Sequence, residues 1–188
     1  MRGRQPVPPD LLLSSDIAGL CAQPAFFTNR SQCWFKLGNF EAALNDAVAA
    51  VQLDPNFGKG YLRIAGCNIV YGDFDSAKKN LELAEKHADV RGAQEVAKER
   101  IRLEKISKNL TEFEKNWTNE DWRAAVYYAN QVIESAPRMY STIARKAEAL
   151  AYSKKVEEAL NLMADVLRMD DKNVDAIFVR GNCRTIFF

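Results

Sequence analysis

Lys59 and Arg63 stand one helical turn apart, and Asn29 precedes Arg63 by 34 residues. An ammonium, a guanidinium and a neutral amide brought to one surface suit a carboxylate, which they grip through charge-assisted hydrogen bonds. Such a set binds and orients; it makes and breaks no bond. The single histidine, His87, would have to serve any His–nucleophile pair, and no phosphate-cradling Gly-rich loop occurs. An enzyme is accordingly not expected, and no catalytic residue is assigned. The four cysteines contain no Cys-x-x-Cys, so neither a metal site nor a cofactor is expected.

The elements that would position these residues come from a repeat. Gly38-Asn39-Phe40-Glu41-Ala42-Ala43 recurs 34 residues later as Gly72-Asp73-Phe74-Asp75-Ser76-Ala77. That offset is the period of a tetratricopeptide helix–turn–helix unit. With Pro55 as position 32, Phe27, Ser31, Trp34, Gly38, Phe40 and Ala43 fall at positions 4, 8, 11, 15, 17 and 20. Tyr61, Ala65, Gly72, Phe74 and Ala77 match them at positions 4, 8, 15, 17 and 20. Small residues at 8 and 20 let helices A and B approach, and bulky ones at 4, 11 and 17 fill the gaps. Gly38 and Gly72 suit a helix end that needs φ > 0, and Asp54-Pro55 stops helix B. Asn29 and Arg63 both hold position 6 and Lys59 position 2. Positions 2, 6, 9 and 13 of the A helices line the concave face of such a stack.

The third unit is displaced. Trp122 follows Phe74 by 48 residues, fourteen more than the period. Fourteen residues make about four helical turns, so a helix lengthened by that amount keeps its buried face. Val96, Leu103, Ile106, Leu110, Phe113 and Trp117 form one stripe. They predict a single long helix from Arg91 to Trp117, capped by Asp89, with Lys98, Glu99, Arg100, Arg102, Glu104 and Lys105 as its solvated face. Ala147, Val156 and Ala159 then fall at positions 8, 17 and 20 of a fourth unit, and a fifth helix A begins near Val174, with Ile177 at position 4 and Gly181 at position 8. The expected fold is all-α, a right-handed superhelix of about four repeats plus a partial fifth. Its expected divisions are a partly flexible non-repeat segment 1–24, two repeats over 25–89, and the long helix with the remaining repeats over 90–188. Leu13, Ile17 and Leu20 share a helical face that would cap Phe27 and Trp34. The apolar end Thr185-Ile186-Phe187-Phe188 is read as that of a fragment or short isoform.

A content of 47% hydrophobic and 27% charged residues fits a folded chain. A net charge of +1 gives no global attraction to nucleic acid or anionic membrane, and no apolar run reaches the roughly 18 residues that span a bilayer. Leu11-Leu12-Leu13 is broken by Ser14, Ser15 and Asp16, so no signal peptide is expected and the setting is read as cytoplasmic, additionally nuclear. Cys33, Cys67 and Cys183 share position 10, where the fourth repeat has Ala149; this predicts buried, reduced thiols, with Cys21 unassigned. His87 is expected on the surface near a helix end. The triplets Asn29-Arg30-Ser31, Asn109-Leu110-Thr111 and Asn116-Trp117-Thr118 lie on predicted helices and are read as chance matches to a glycan acceptor.

Two segments carry a resemblance. Asn29-Arg30-Ser31 and Lys59-Gly60-Tyr61-Leu62-Arg63 resemble the carboxylate-clamp repeats of heat-shock chaperone co-factors, with their motifs Asn-Arg-Ser/Ala and Lys-x-Tyr-x-Arg. The resemblance implies that Asn29, Lys59 and Arg63 hold three clamp positions. The family's other two, a Lys and an Asn on a preceding helix A, have no counterpart, and residues 1–24 contain no Lys. Leu167-Arg168-Met169-Asp170, Asn173, Asp175-Ala176 and Val179-Arg180-Gly181-Asn182-Cys183, with the lengthened helix, look like the DnaJ-type tetratricopeptide co-chaperones over roughly Phe26 to Cys183. What this implies is a non-enzymatic adaptor that binds the acidic C-terminal tails of the seventy- and ninety-kilodalton heat-shock chaperones, and unfolded clients besides, with no nucleic acid or membrane partner. The family's J-domain motif His-Pro-Asp does not occur here, so stimulation of a chaperone ATPase is not assigned to this chain. Two alternatives stand beside it: a client-holding or scaffolding groove using Phe35, Ile69 and Phe178, and a lumenal relative.

Overall fold

The computed structural model describes residues 23–187, and these form helices and the turns between them. In chain order they are α1 (Pro24–Lys36), α2 (Phe40–Leu53), α3 (Gly58–Tyr71), α4 (Phe74–Lys86), α5 (Val90–Thr118), α6 (Trp122–Ser135), α7 (Tyr140–Tyr152), α8 (Val156–Met169) and α9 (Val174–Phe187). Each helix packs on its successor, α1 also touches α3, and α3 touches α5. This is the A/B stacking that the 34-residue frame predicts.

The turn between A and B helices is made the same way four times. Gly38 and Gly72 sit at φ 77° and 81°, and the next residue's N–H reaches back five positions, Asn39 to the Trp34 carbonyl and Asp73 to that of Asn68. Glu120 and Lys154 adopt φ 57° and 64° without being glycine, with Asp121 bonded to Asn116 and Lys155 to Leu150. Asn39, Asp73 and Asp121 then cap the following helix, accepting the N–H of Ala42, Ser76 and Ala124 at 3.1, 3.1 and 3.0 Å. Between α1 and α2 the fully buried Ser31 hydroxyl donates to the Ala43 carbonyl at 2.7 Å, joining positions 8 and 20. Beside it Arg30 closes a two-bond fork on the buried Asp46, both bonds 2.7 Å.

The long helix is one element of 29 residues, and Asp89 caps it by accepting the Gly92 N–H at 2.6 Å. Val96, Leu103 and Ile106 share a core with Leu62, Leu81 and Val132, whereas Phe113 packs with Ala125 and Ala129. The first half of α5 thus covers the second repeat and the second half carries the third. The α6–α7 corner folds back to complete the joint: the Arg138 N–H donates to the Val70 carbonyl at 3.0 Å, and Met139 packs into the same core as Leu62. A third core joins α7, α8 and α9 through Ile143, Ala147, Met163, Val179 and Cys183.

Cys67 and Cys183 are buried, but Cys33 is exposed, against the common expectation for position 10. The reason is positional. The helix pair ahead of α3 and of α9 packs on them through α2 and α8, while no helix precedes α1 among the described residues. Likewise no described helix follows α9, and Ile177 at position 4 is exposed. Cys21 and the proposed cap of Leu13, Ile17 and Leu20 lie outside the described residues.

Candidate functional site

The A helices α1, α3 and α5 lie side by side, and two adjoining cavities open along them. The larger, about 430 Å³, is lined by Lys59 and Leu62 of α3, by Arg91 and Glu95 of α5, and by His87 and Asp89 between α4 and α5. The smaller, about 160 Å³, is lined by Gln32 and Phe35 of α1, Arg63 and Gly66 of α3, and Glu95, Lys98, Glu99 and Arg102 of α5. Leu62 and Glu95 belong to both, so the two form one groove. Gln32 and Gly66 hold position 9 of their repeats, in keeping with the concave register.

Lys59 lines the larger cavity and Arg63 the smaller, one helical turn apart on α3. Lys59 is exposed in the first turn of α3, and Arg63 is half-buried. Asn29 is exposed on α1 and lines neither cavity. Arg63 has donors to give. Its Nε is buried with no hydrogen-bond partner among the described residues, and its ion contact, Nη2 to the Glu95 carboxylate, is a long 3.9 Å. Arg30, closed on Asp46 at 2.7 Å twice, shows what a satisfied fork looks like in the same molecule. Burial pushes the neighbouring Cys67 thiol up to about 12, with Arg63 opposing, so this sulfur is a neutral packing group rather than a nucleophile.

The groove carries both signs. Lys59 and Arg91 face Asp89 and Glu95 in the larger cavity, and Arg63, Lys98 and Arg102 face Glu95 and Glu99 in the smaller. Lys98, Glu99 and Arg102 therefore line the site rather than merely solvate α5. Arg102 is anchored, bonding Glu99 at 3.2 Å and donating to the Ser135 carbonyl. The available signal was their spacing with Glu95, steps of four and three along one helical face, once α5 is recognised as the next A helix. His87 is also inside the site. It caps α4, stacks its ring on Tyr61 at 6.3 Å and lines the larger cavity.

Position 6 recurs in the fourth repeat as Arg145, but that guanidinium is engaged. It forks onto the Glu114 carboxylate and lies over Phe113 and Trp117 at 4.6 and 4.5 Å. The hydrogen bond from Arg145 holds Glu114 below its usual carboxylate range. The same residue type at the same register is thus structural at one end of the molecule and available at the other. Of the apolar-groove residues, Phe35 lines the smaller cavity, Ile69 is wholly buried and Phe178 is exposed on α9. The Asn116 amide donates to the Glu112 carbonyl at 2.7 Å and the Asn109 amide nitrogen is buried, as befits residues within a helix.

No family model matches the chain. Its sequence is 35% identical over 169 residues to human DnaJ homolog subfamily C member 7, a match that takes in 87% of this chain and 33% of that protein. A shorter stretch, 58 residues at 40% identity, matches the heat shock protein STI1 of Saccharomyces cerevisiae, covering 31% of this chain and 10% of that protein. In three dimensions the chain is similar to the crystal structure of the P58(IPK) TPR domain, with a TM-score of 0.74 at 14% identity over 89% of this chain and 47% of that one. At that identity the structural likeness speaks for the fold alone. The chain spans about a third of the length of its first curated relative. With the 34-residue frame and the helix pairs, these likenesses show a tetratricopeptide-repeat fold and a sequence similar to part of DnaJ homolog subfamily C member 7.

Proposed function

We propose that the chain is a chaperone-binding adaptor whose groove between α1, α3 and α5 receives an acidic peptide tail. The observation that carries this is Arg63, one helical turn from Lys59 along the groove, whose part-exposed guanidinium meets Glu95 only at a long 3.9 Å from Nη2. Lys59 supplies a point charge and Arg63 a planar fork, while Asn29, exposed on α1 outside both cavities, adds a neutral donor for a tail that runs on past them. The similarity to a DnaJ homolog and to a heat shock protein supports chaperone partners; the proposal takes these to be the acidic C-terminal tails of the seventy- and ninety-kilodalton heat-shock chaperones, met in the cytoplasm. The burial of Ile69 weighs against the apolar-groove alternative.

The test is a calorimetric titration of a peptide ending in Glu-Glu-Val-Asp. Lys59→Ala/Arg63→Ala removes two charge-assisted contacts and is expected to weaken binding by about tenfold or more. Binding should also fall as salt rises. Equal binding by wild type and variant, or binding that persists in high salt, would sink the site assignment.

A further inference from the structure

We infer that Glu95 is a built-in competitor for the peptide carboxylate, setting how strongly the groove accepts acidic tails; this rests on the carboxylate-binding reading above. Glu95 alone among the acidic residues of the groove lines both cavities, so it stands where Lys59 and Arg63 must act together. Its carboxylate lies 3.9 Å from Arg63 Nη2. That is close enough to neutralise much of the guanidinium field, and too far to saturate its donors. The Arg30–Asp46 fork, 2.7 Å on both arms, marks the distance that Glu95 does not reach.

Two consequences follow for a ligand. An incoming carboxylate that takes Arg63 must settle beside the Glu95 carboxylate and bear a like-charge repulsion in a half-enclosed groove. It must also displace part of an attraction that already exists. Glu95 therefore lowers the affinity for uniformly acidic tails below what Lys59 and Arg63 alone would give, a selection by repulsion as much as by attraction. Arg145 shows the opposite limit of the same device, a position-6 arginine that Glu114 has captured outright.

Glu95→Gln keeps shape and removes the charge. Titrated with a Glu-Glu-Val-Asp free-acid peptide, it is expected to bind about two- to fivefold more tightly than wild type. Glu104→Gln, the same charge change at an exposed α5 residue outside both cavities, should leave affinity unchanged. The gain should vanish when Lys59 and Arg63 are also alanine. Far-UV circular dichroism should show equal helicity throughout, and Glu95→Ala should shift affinity in the same direction. If wild type binds through Lys59 and Arg63 but Glu95→Gln does not tighten it, the competitor role is wrong and the groove reading survives. Equal tightening by Glu104→Gln would show a general charge effect and overturn the inference. If neither wild type nor Glu95→Gln binds, the groove reading itself fails and this inference fails with it.

Discussion

Replacing Gly72 with alanine imposes two costs at one site, and Gly38→Ala imposes only the first. Both glycines sit in the left-handed region, at φ 81° and 77°, where a Cβ costs about 1 kcal/mol or somewhat more. The loss of unfolded-state entropy is the same for both substitutions. At Gly38 an added Cβ meets nothing within 4 Å among the described residues, whereas at Gly72 it would lie 2.7 Å from Met139 Cγ and 3.0 Å from Sδ. Met139 is the flexible residue that seats the α6–α7 corner against Leu62, Leu81 and Val132, so displacing it adds an overpacking cost of about 1–3 kcal/mol. The expected totals are about 1–2 kcal/mol for Gly38→Ala and about 2–4 kcal/mol for Gly72→Ala, read from urea unfolding followed by circular dichroism. Gly72→Ala/Met139→Ala should cost less than the sum of its parts, because the truncated side chain relieves the contact. Equal costs at the two glycines, or strict additivity in the double variant, would mean that the corner does not dock on the end of α3. The lengthened α5 would then not hold the third repeat against the second.

Substitutions at three further positions probe other parts of the frame. Arg30→Ala strands the buried Asp46 carboxylate and should cost about 1–3 kcal/mol in thermal or urea unfolding, with Arg30→Lys recovering little because it cannot fork. Burial raises the Glu148 carboxyl above its ordinary value, so the folded state binds more protons than the unfolded one and stability falls as pH rises through that range. Glu148→Gln should therefore stabilise the chain near about pH 7 and lose that advantage toward about pH 4, as urea midpoints at the two pH values would show. Lys154 is exposed at φ 64°, the place that Gly38 and Gly72 hold in the earlier repeats; Lys154→Gly should raise stability by up to about 1 kcal/mol in the same unfolding assay.

The parts of this fold that were legible in the sequence are those set within one or two adjacent helices. The Gly–aromatic–Ala frame gave the A/B turns, and the stripe from Val96 to Trp117 gave α5 with its Asp89 cap, because periodicity and capping act over a few residues. What stayed hidden depends on which residue stands across a groove. Position 6 reads the same at Arg63 and Arg145, and only the packing of α5 reveals that Glu114 captures one while Glu95 stands 3.9 Å from the other. Cys33 shares a register with Cys67, yet its exposure is decided by the helix that precedes it, not by the repeat. The charges of α5 read as a solvated face because a single helix carries no sign of which side a neighbour will meet. His87 is half-exposed at the end of α4, as its position implies, but its stacking on Tyr61, 26 residues away, has no local signal in the sequence.

An acidic tail that enters between α1, α3 and α5 should leave its footprint on those three helices. This is tested most directly by adding a Glu-Glu-Val-Asp peptide to the isotopically labelled chain and following each backbone amide by nuclear magnetic resonance. The largest shifts are expected at Asn29, Gln32, Lys59, Arg63, Gly66 and Lys98, with α7 to α9 unmoved. Shifts gathered instead around Ile177 and Phe178 on α9, or none at saturating peptide, would contradict it.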